Sequence, residues 1–565
     1  MSRDDLRGVL LSDFNLQNLA DLLSHDTAPP RLTVMAAPYG QLAQVILDDQ
    51  WSGWADRPDF ALVWTRPTGA IPSVARLLDY EHVPGDTLSA ELDAYADLIE
   101  RLAARVKWVF VPTWTLPPSY RGTGLLDYEP RQGARYWLDR LNARLSERLA
   151  ARKNIFLLPA ARWLQAVGAK AYSPKHWYLG KIEFGTEVFK EAAQDLKAAL
   201  NALLGLARKL VIIDLDDTLW GGIVGDVGWE NLALGGHDPV GEAFVDFQRA
   251  LKALTNRGVL LGIVSKNEEA IALEAIRNHP EMVLRLDDFA GWRINWRDKA
   301  QNIGELAAEL NLGRQSIVFI DDNPVERARV REALPEVLVP EWPADKLFYQ
   351  SALQSLRCFD SPAISDEDRD RARMYLAERQ RRQVQEEIGS LDDWLRTLGI
   401  QVIAEPLGDA DLTRTVQLFN KTNQMNLSTR RLSEGELAAW AAQPAHRLFT
   451  FRVRDKFGDS GLTGIASLAI EGDTGRIVDF ILSCRVMGRK IEEVMLHVLA
   501  DYGRKIGRQR LVAEYRETAK NKPCLEFFRQ RSGFAAETDA VFVFPLAGEY
   551  PLPPGIELIV KDPVA

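Results

Sequence analysis

The chain has 565 residues, 46% of them hydrophobic and 26% charged, with a formal net charge of −10. That length allows several cores and predicts three domains, the acidic balance excludes a sequence-independent grip on nucleic acid, and no run of about eighteen apolar residues is present to span a membrane. Cys358, Cys484 and Cys524 form neither a CxxC pair nor an even disulfide framework. With no apolar signal core behind Met1, this points to a reducing compartment, the cytoplasm by default.

From Val9 to about Leu204, apolar runs alternate with helix-like stretches such as Tyr136–Lys153. Leu32–Met35, Phe60–Trp64, Val106–Pro112 and Ile155–Leu158 read as strands, and the alternation predicts a parallel α/β layer. It repeats from Lys209 to about Pro343, where Val211–Ile213 runs into Asp214-Leu215-Asp216-Asp217-Thr218. The glycines of Gly221–Gly228 predict a small β-hairpin flap over that carboxylate pair. Helical pattern such as Ala243–Leu254 fills much of the space before Val259, so no large cap domain fits. Ser365–Arg382 reads as an exposed, charged connecting helix. Ile400 to about Phe544 reads as a mixed strand and helix domain, with Ile477–Leu482 as a strand and Ile491, Val494, Met495, Val498 and Leu499 on one helical face. The Pro-rich end reads as a loosely held tail.

Charged groups at the carboxyl ends of buried strands in an α/β sheet usually do chemistry, and this segment offers four such islands in order. Asp214 and Asp216 form a carboxylate pair suited to phosphoryl transfer, one as nucleophile and one as acid/base. Leu260–Val264 runs into Ser265-Lys266-Asn267, a hydroxyl able to hydrogen-bond a transferring phosphoryl oxygen. Lys299 supplies a fixed cation. Ser316–Ile320 ends in Asp321-Asp322, hard oxygen ligands suited to Mg²⁺.

That order resembles the haloacid-dehalogenase (HAD) phosphatases. The resemblance implies that Asp214 attacks phosphorus, that Asp216 protonates the leaving group and then activates water, and that Mg²⁺ is held among Asp214, Asp216, Asp321 and Asp322, with Thr218 and Asn267 as phosphate contacts. Near the other end, Arg485 and Gly488 in Ser483-Cys484-Arg485-Val486-Met487-Gly488-Arg489-Lys490, with Asn521–Cys524 and Gly533-Phe534, resemble the carrier-binding turn and closing motif of GNAT acyltransferases. Lys490 stands where that turn has a small residue, a change that favours a phosphopantetheine arm over coenzyme A. The N-terminal region resembles an SGNH hydrolase without its triad. Leu10-Leu11-Ser12-Asp13-Phe14 puts an aromatic where the nucleophile belongs, and His176 has no acid three residues before it.

Together these regions are similar to the FkbH-like, HAD-IIIC proteins, most specifically at Asp214–Asp226, Phe319–Arg327, Phe419–Arg431 and Ser483–Arg489. The expected division is an SGNH-like α/β sandwich over 1–204, a HAD Rossmann-like parallel sheet with minimal cap over 205–345, a charged helical linker over 346–398, a GNAT-like α+β domain over 399–548 and a tail over 549–565. The resemblance implies loading of a glyceryl unit from 1,3-bisphosphoglycerate onto an acyl carrier protein, in polyketide or related biosynthesis, with loss of both phosphates. The alternative is a Mg²⁺-dependent phosphatase acting on another phosphorylated acyl or amino-acid intermediate, with a different group transferred by the last domain. Val264 keeps that alternative open, because many relatives carry a cysteine there. Cys484, beside Arg485 and near a helix N-terminus, is then the candidate thiol, and Cys524 is expected in the core.

Overall fold

The computed structural model describes residues 5–117, 120–236, 238–362, 381, 388, 390–422, 424–518 and 521–561. It divides into two compact units, residues 1–207 with 356–362, and residues 208–355 with 363–565. The architecture is mixed α/β, and among the described residues no helix is long and apolar enough to cross a membrane.

The first unit is built on strands β1 (Asp5–Ser12), β2 (Arg31–Ala36), β3 (Phe60–Trp64), β4 (Trp108–Pro112) and β5 (Ile155–Leu158), all parallel in the order β2-β1-β3-β4-β5. Successive side chains leave opposite faces of a strand, and the sequence fills both. Val9 and Leu11 of β1 with Ala61 and Val63 of β3 enter one core, while Leu10 with Phe60, Leu62 and Trp64 enters the other. Phe14, which the SGNH resemblance would set at the nucleophile position, is fully buried with its ring edge-on to Trp64 and Phe184, both 5.7 Å away. His176 lies exposed in the helix Pro174–Gly180.

In the second unit, β6 (Leu210–Ile213), β7 (Leu260–Ser265), β8 (Phe289–Ile294) and β9 (Ile317–Ile320) form a parallel sheet in the order β8-β7-β6-β9. Every residue of β6, β7 and β9 is buried, as a sheet covered on both faces requires. The expected hairpin flap is instead a loop holding the short helix Val224–Val227 and a 3₁₀ turn, Trp229–Asn231. Only Gly221 and Ala233 pair across it, as a single antiparallel bridge with N–H···O bonds of 3.0 and 2.9 Å, while the Val224 N–H donates to Asp216 Oδ1 (3.0 Å) and the Gly222 N–H to Asp217 Oδ1 (3.3 Å).

The same unit contains a largely antiparallel sheet of β10 (Ile400–Pro406), β11 (Met425–Asn426), β12 (His446–Asp455), β13 (Gly458–Glu471), β14 (Thr474–Leu482), β15 (Arg510–Glu514), β16 (Ala535–Ala536), β17 (Val541–Pro545) and β18 (Ile556–Val560). β14 and β15 run parallel and are joined by the helix Ile491–Lys505, which buries Ile491, Val494, Met495, Val498 and Leu499 as its spacing predicts. Pairing of β14 with β15 ends at Ile477 and Ala513, and β11 pairs with the far end of β14 at Ile481 and Leu482.

Two boundaries need correction. The expected tail contains β18, which pairs with β10 from Ile400↔Ile556 to Ala404↔Val560, because its apolar run completes a sheet edge. The expected linker is shorter at both ends. Tyr349 packs its ring on Phe244 (6.0 Å) and Phe247 (5.7 Å), in the helix Pro239–Thr255 between β6 and β7, and Trp394, Leu395 and Leu398 enter the core of the C-terminal sheet. Most of the expected connecting helix, Ser365–Arg382, lies outside the described residues.

Candidate active site

β6 and β9 are neighbours with Ile213 opposite Ile320, so the residues that follow, Asp214 and Asp321, leave the sheet at the same level. The Asp214 N–H donates to Ile320 O at 3.0 Å and fixes this register. Lys299 opens the helix Lys299–Glu309, whose first turn is capped by Asp298 accepting from the Gln301 N–H at 3.1 Å. This cap sends the Lys299 ammonium between the two carboxylates, 2.9 Å from Asp214 Oδ2 and 2.6 Å from Asp321 Oδ2.

All three side chains are nearly out of water, and that sets their electrostatics. Burial, then the Asp214 charge, pushes Asp321 up to about 6, with Lys299 opposing both. Burial works against the Lys299 ammonium, but Asp214 and Asp321 outweigh it and raise its pKa. Burial also raises Asp216, against hydrogen bonds from the Val224 N–H and the Trp220 indole that favour its ionised form.

Asp214, Asp321 and Asp322 each place an oxygen within 4.8 Å of the others, and Asp214 Oδ1 is buried without a hydrogen-bond partner. A buried carboxylate oxygen left unpaired beside two further carboxylates is a good fit to a hard divalent cation. Thr218 holds this set in place. Its fully buried hydroxyl donates to Asp322 Oδ1 (3.2 Å) and accepts from the Asp322 N–H (3.0 Å), so it positions a ligand rather than meeting substrate.

Asp216 does not join the ligand set expected for it. Its Oδ1 accepts from Trp220 Nε1 (2.9 Å) and the Val224 N–H, and its Oδ2 accepts from Asn267 Nδ2 (2.8 Å). Asn267 is therefore a carboxylate-orienting group as built, rather than an open phosphate contact. Ser265 ends β7 at the same sheet edge and is 2% exposed.

One residue of this site escapes the sequence reading. Lys346 Nζ donates to Asp217 O (2.6 Å) and lies 3.6 Å from Asp322 Oδ2. It braces Asp217, whose backbone is in the left-handed region (φ 55°). Lying beyond the last apolar strand in a Pro-rich passage, it gives no signal in the sequence.

The second expected site is built differently from its prediction. Gly488 has the positive φ (77°) anticipated for a turn, but its N–H donates to Glu492 Oε1 at 3.0 Å. Glu492 is fully buried and burial raises its pKa, so the chain's own carboxyl group occupies the donor expected to meet a phosphate. Arg485 Nε donates to Ser483 Oγ (3.1 Å), and Arg485 O accepts from Arg489. Cys484 begins a 3₁₀ turn, and its side chain lies outside the described atoms. Cys524 is fully buried, and burial pushes its thiol pKa well up.

The chain is similar to the N-terminal part of the protein BF1531 from Bacteroides fragilis, described as containing a phosphatase domain complexed with Mg. Identity is 29% and TM-score 0.58, over 64% of this chain and 95% of that one. Stretches of this chain also match the ribosomal-protein-S18-alanine N-acetyltransferase of Escherichia coli (16% identity, TM-score 0.21, 27% of this chain and 99% of that one) and the spermidine N-acetyltransferase of Vibrio cholerae (16%, 0.22, 26% and 96%). No protein-family model and no curated protein matches the chain. The chain is thus similar, over 64% of its length, to a structure that contains a phosphatase domain.

Proposed function

We propose that the second unit houses a Mg²⁺-dependent phosphatase working through an aspartyl-phosphate on Asp214. The supporting observation is the Asp214–Lys299–Asp321 cluster, with one Asp214 oxygen paired to the ammonium and the other buried and unpaired. Asp214, Asp321 and Asp322 would hold the cation, which when bound offsets the charge that keeps a phosphate away from carboxylates. An Asp214 carboxylate oxygen attacks phosphorus and the ester oxygen departs. Asp216, whose raised pKa favours its acid form, gives that oxygen a proton, then takes one from the water that cleaves the aspartyl-phosphate. Lys299 stabilises charge on the nucleophile, and the Ser265 hydroxyl is available to a phosphoryl oxygen.

For the substrate, the proposal follows the FkbH-like resemblance: 1,3-bisphosphoglycerate, with the glyceryl unit passed to an acyl carrier protein through its phosphopantetheine thiol. The acyl phosphate is an activated carbonyl open to a thiolate, whereas the second phosphate is a monoester suited to Asp214. Residues 209–343 contain no cysteine and Val264 is fully buried, so the thiol would be Cys484 or that of the carrier itself. The engagement of Gly488 by Glu492 favours the second reading, a phosphatase for another phosphorylated acyl or amino-acid intermediate.

Asp214→Asn should abolish phosphate release while leaving the circular dichroism spectrum unchanged; turnover in that variant rejects the aspartyl-phosphate. Intact-mass spectrometry after incubation with 1,3-bisphosphoglycerate and a carrier protein separates the two substrate readings. A glyceryl adduct on wild type that is lost in Cys484→Ser assigns the thiol. One found on the carrier alone assigns direct transfer, and no adduct on either leaves the phosphatase without the loading role.

A further inference from the structure

The C-terminal sheet carries a cavity of about 190 Å³ lined by Ser428, Arg430, Trp440, His446, Arg476, Glu514 and Arg516, with Ala469, Ile477 and Val478 as its apolar lining. It lies at an irregularity in the sheet. Ser467 pairs with Asp479 and Leu468 with Ile477, so Val478 is the extra residue of a β-bulge, a device that re-aims side chains and recurs beside functional sites.

Asp479 is the anchor beneath it. The side chain is fully buried and accepts from Ser428 Oγ (2.7 Å), Ser467 Oγ (2.7 Å) and Arg430 Nε (2.9 Å), with Arg430 Nη2 on its second oxygen. Such a fork fixes the guanidinium and leaves its remaining N–H groups for a ligand. One face of Arg430 lies over the Trp440 ring at 4.9 Å, and Trp440 stacks on His446 at 4.2 Å with 13° between the rings. The cation is thus held by a buried carboxylate and an aromatic stack, an expensive arrangement for a surface arginine with no ligand to meet.

Arg476 and Arg516 converge on the same cavity from β14 and from the end of β15. Arg476 is 42% exposed and pairs with Glu471, and Arg516 is exposed. Three guanidiniums around so small a volume suit a phosphate, whose several oxygens can each take a fork, better than a carboxylate, which one fork satisfies. Glu514, and Ser428 with its lone pairs still available, add acceptors for a hydroxyl.

We propose that this cavity is a binding site for a small phosphate ester that bears a hydroxyl group, independent of the Asp214 site. The test is isothermal titration of the full chain with glycerol 3-phosphate in EDTA, so that no metal-dependent turnover occurs. Saturable binding is expected for wild type, weakened about tenfold or more in Arg476→Ala/Arg516→Ala. Both side chains are substantially exposed, so the fold is retained, and hydrolysis of p-nitrophenyl phosphate with Mg²⁺ should be unchanged in the double variant. Absence of saturable binding up to about 10 mM, or equal binding by wild type and the double variant, overturns the proposal. Neither result depends on whether Asp214 is a nucleophile.

Discussion

Replacing Lys299 by methionine removes one charge from between two carboxylates while keeping an unbranched side chain of similar length. The ammonium is 2.9 Å from Asp214 and 2.6 Å from Asp321, and its side chain is only 4% exposed. Taking one partner from a buried ion pair costs roughly 3–5 kcal/mol, because the charges left behind stay desolvated and here also repel each other. For a domain of this size that is a fall of roughly 6–20 °C in the melting transition of the phosphatase region. Scanning calorimetry in EDTA reads this directly. With excess Mg²⁺ the carboxylates regain a counter-charge, and a cation at about a hundred times its Kd returns about 2.7 kcal/mol. The variant should therefore gain more from Mg²⁺ than wild type does, while kcat stays about 10²–10³ lower. A variant that melts with wild type in EDTA and responds equally to Mg²⁺ would refute the electrostatic reading of the cluster.

Thr218→Val keeps the shape but leaves the Asp322 N–H and Oδ1 without their partner, so Mg²⁺ affinity should fall about 10–100-fold by titration, with little change in melting when metal is absent. In the first unit, burial raises Glu183 to about 7 from an ordinary 4.5. A raised carboxyl pKa means the folded state holds the proton more tightly, so stability is highest below about pH 4.5 and declines up to about pH 7, by roughly 3 kcal/mol in all. Glu183→Gln should flatten that decline in urea unfolding at pH 5 and pH 8, and a slope unchanged in the variant would assign it to other groups.

The strands of this parallel sheet were legible because β6, β7 and β9 are largely apolar runs that end in the polar residues of the candidate site, and a buried parallel strand leaves little else for its sequence to be. β8 is harder to read, since Gly291 and Arg293 interrupt it. Lys299, Asp214 and Asp321 meet as their order implied, and Asp322 completes the carboxylate set. What misled was competition for donors and acceptors. Glycines at 221–228 are compatible with a hairpin, but pairing stops at the single Gly221–Ala233 bridge, because Asp217 and Asp216 take the N–H groups of Gly222 and Val224. The Gly488 turn likewise looked ready for an anion, although Glu492, in the first turn of the following helix, is an acid placed where the helix dipole favours one.

The pairing of β18 with β10 joins, at one edge of the C-terminal sheet, its first and last strands in sequence, with side chains as far apart as Gln401 and Glu557, 156 positions along the chain, meeting at 2.8 Å. β10 therefore has to wait, one side uncovered, until everything between has been made. Such remote closure slows assembly, and it leaves an apolar ribbon open to stray strands from other molecules in the meantime. Fragments that stop short of Ile556 should for this reason clump rather than simply loosen.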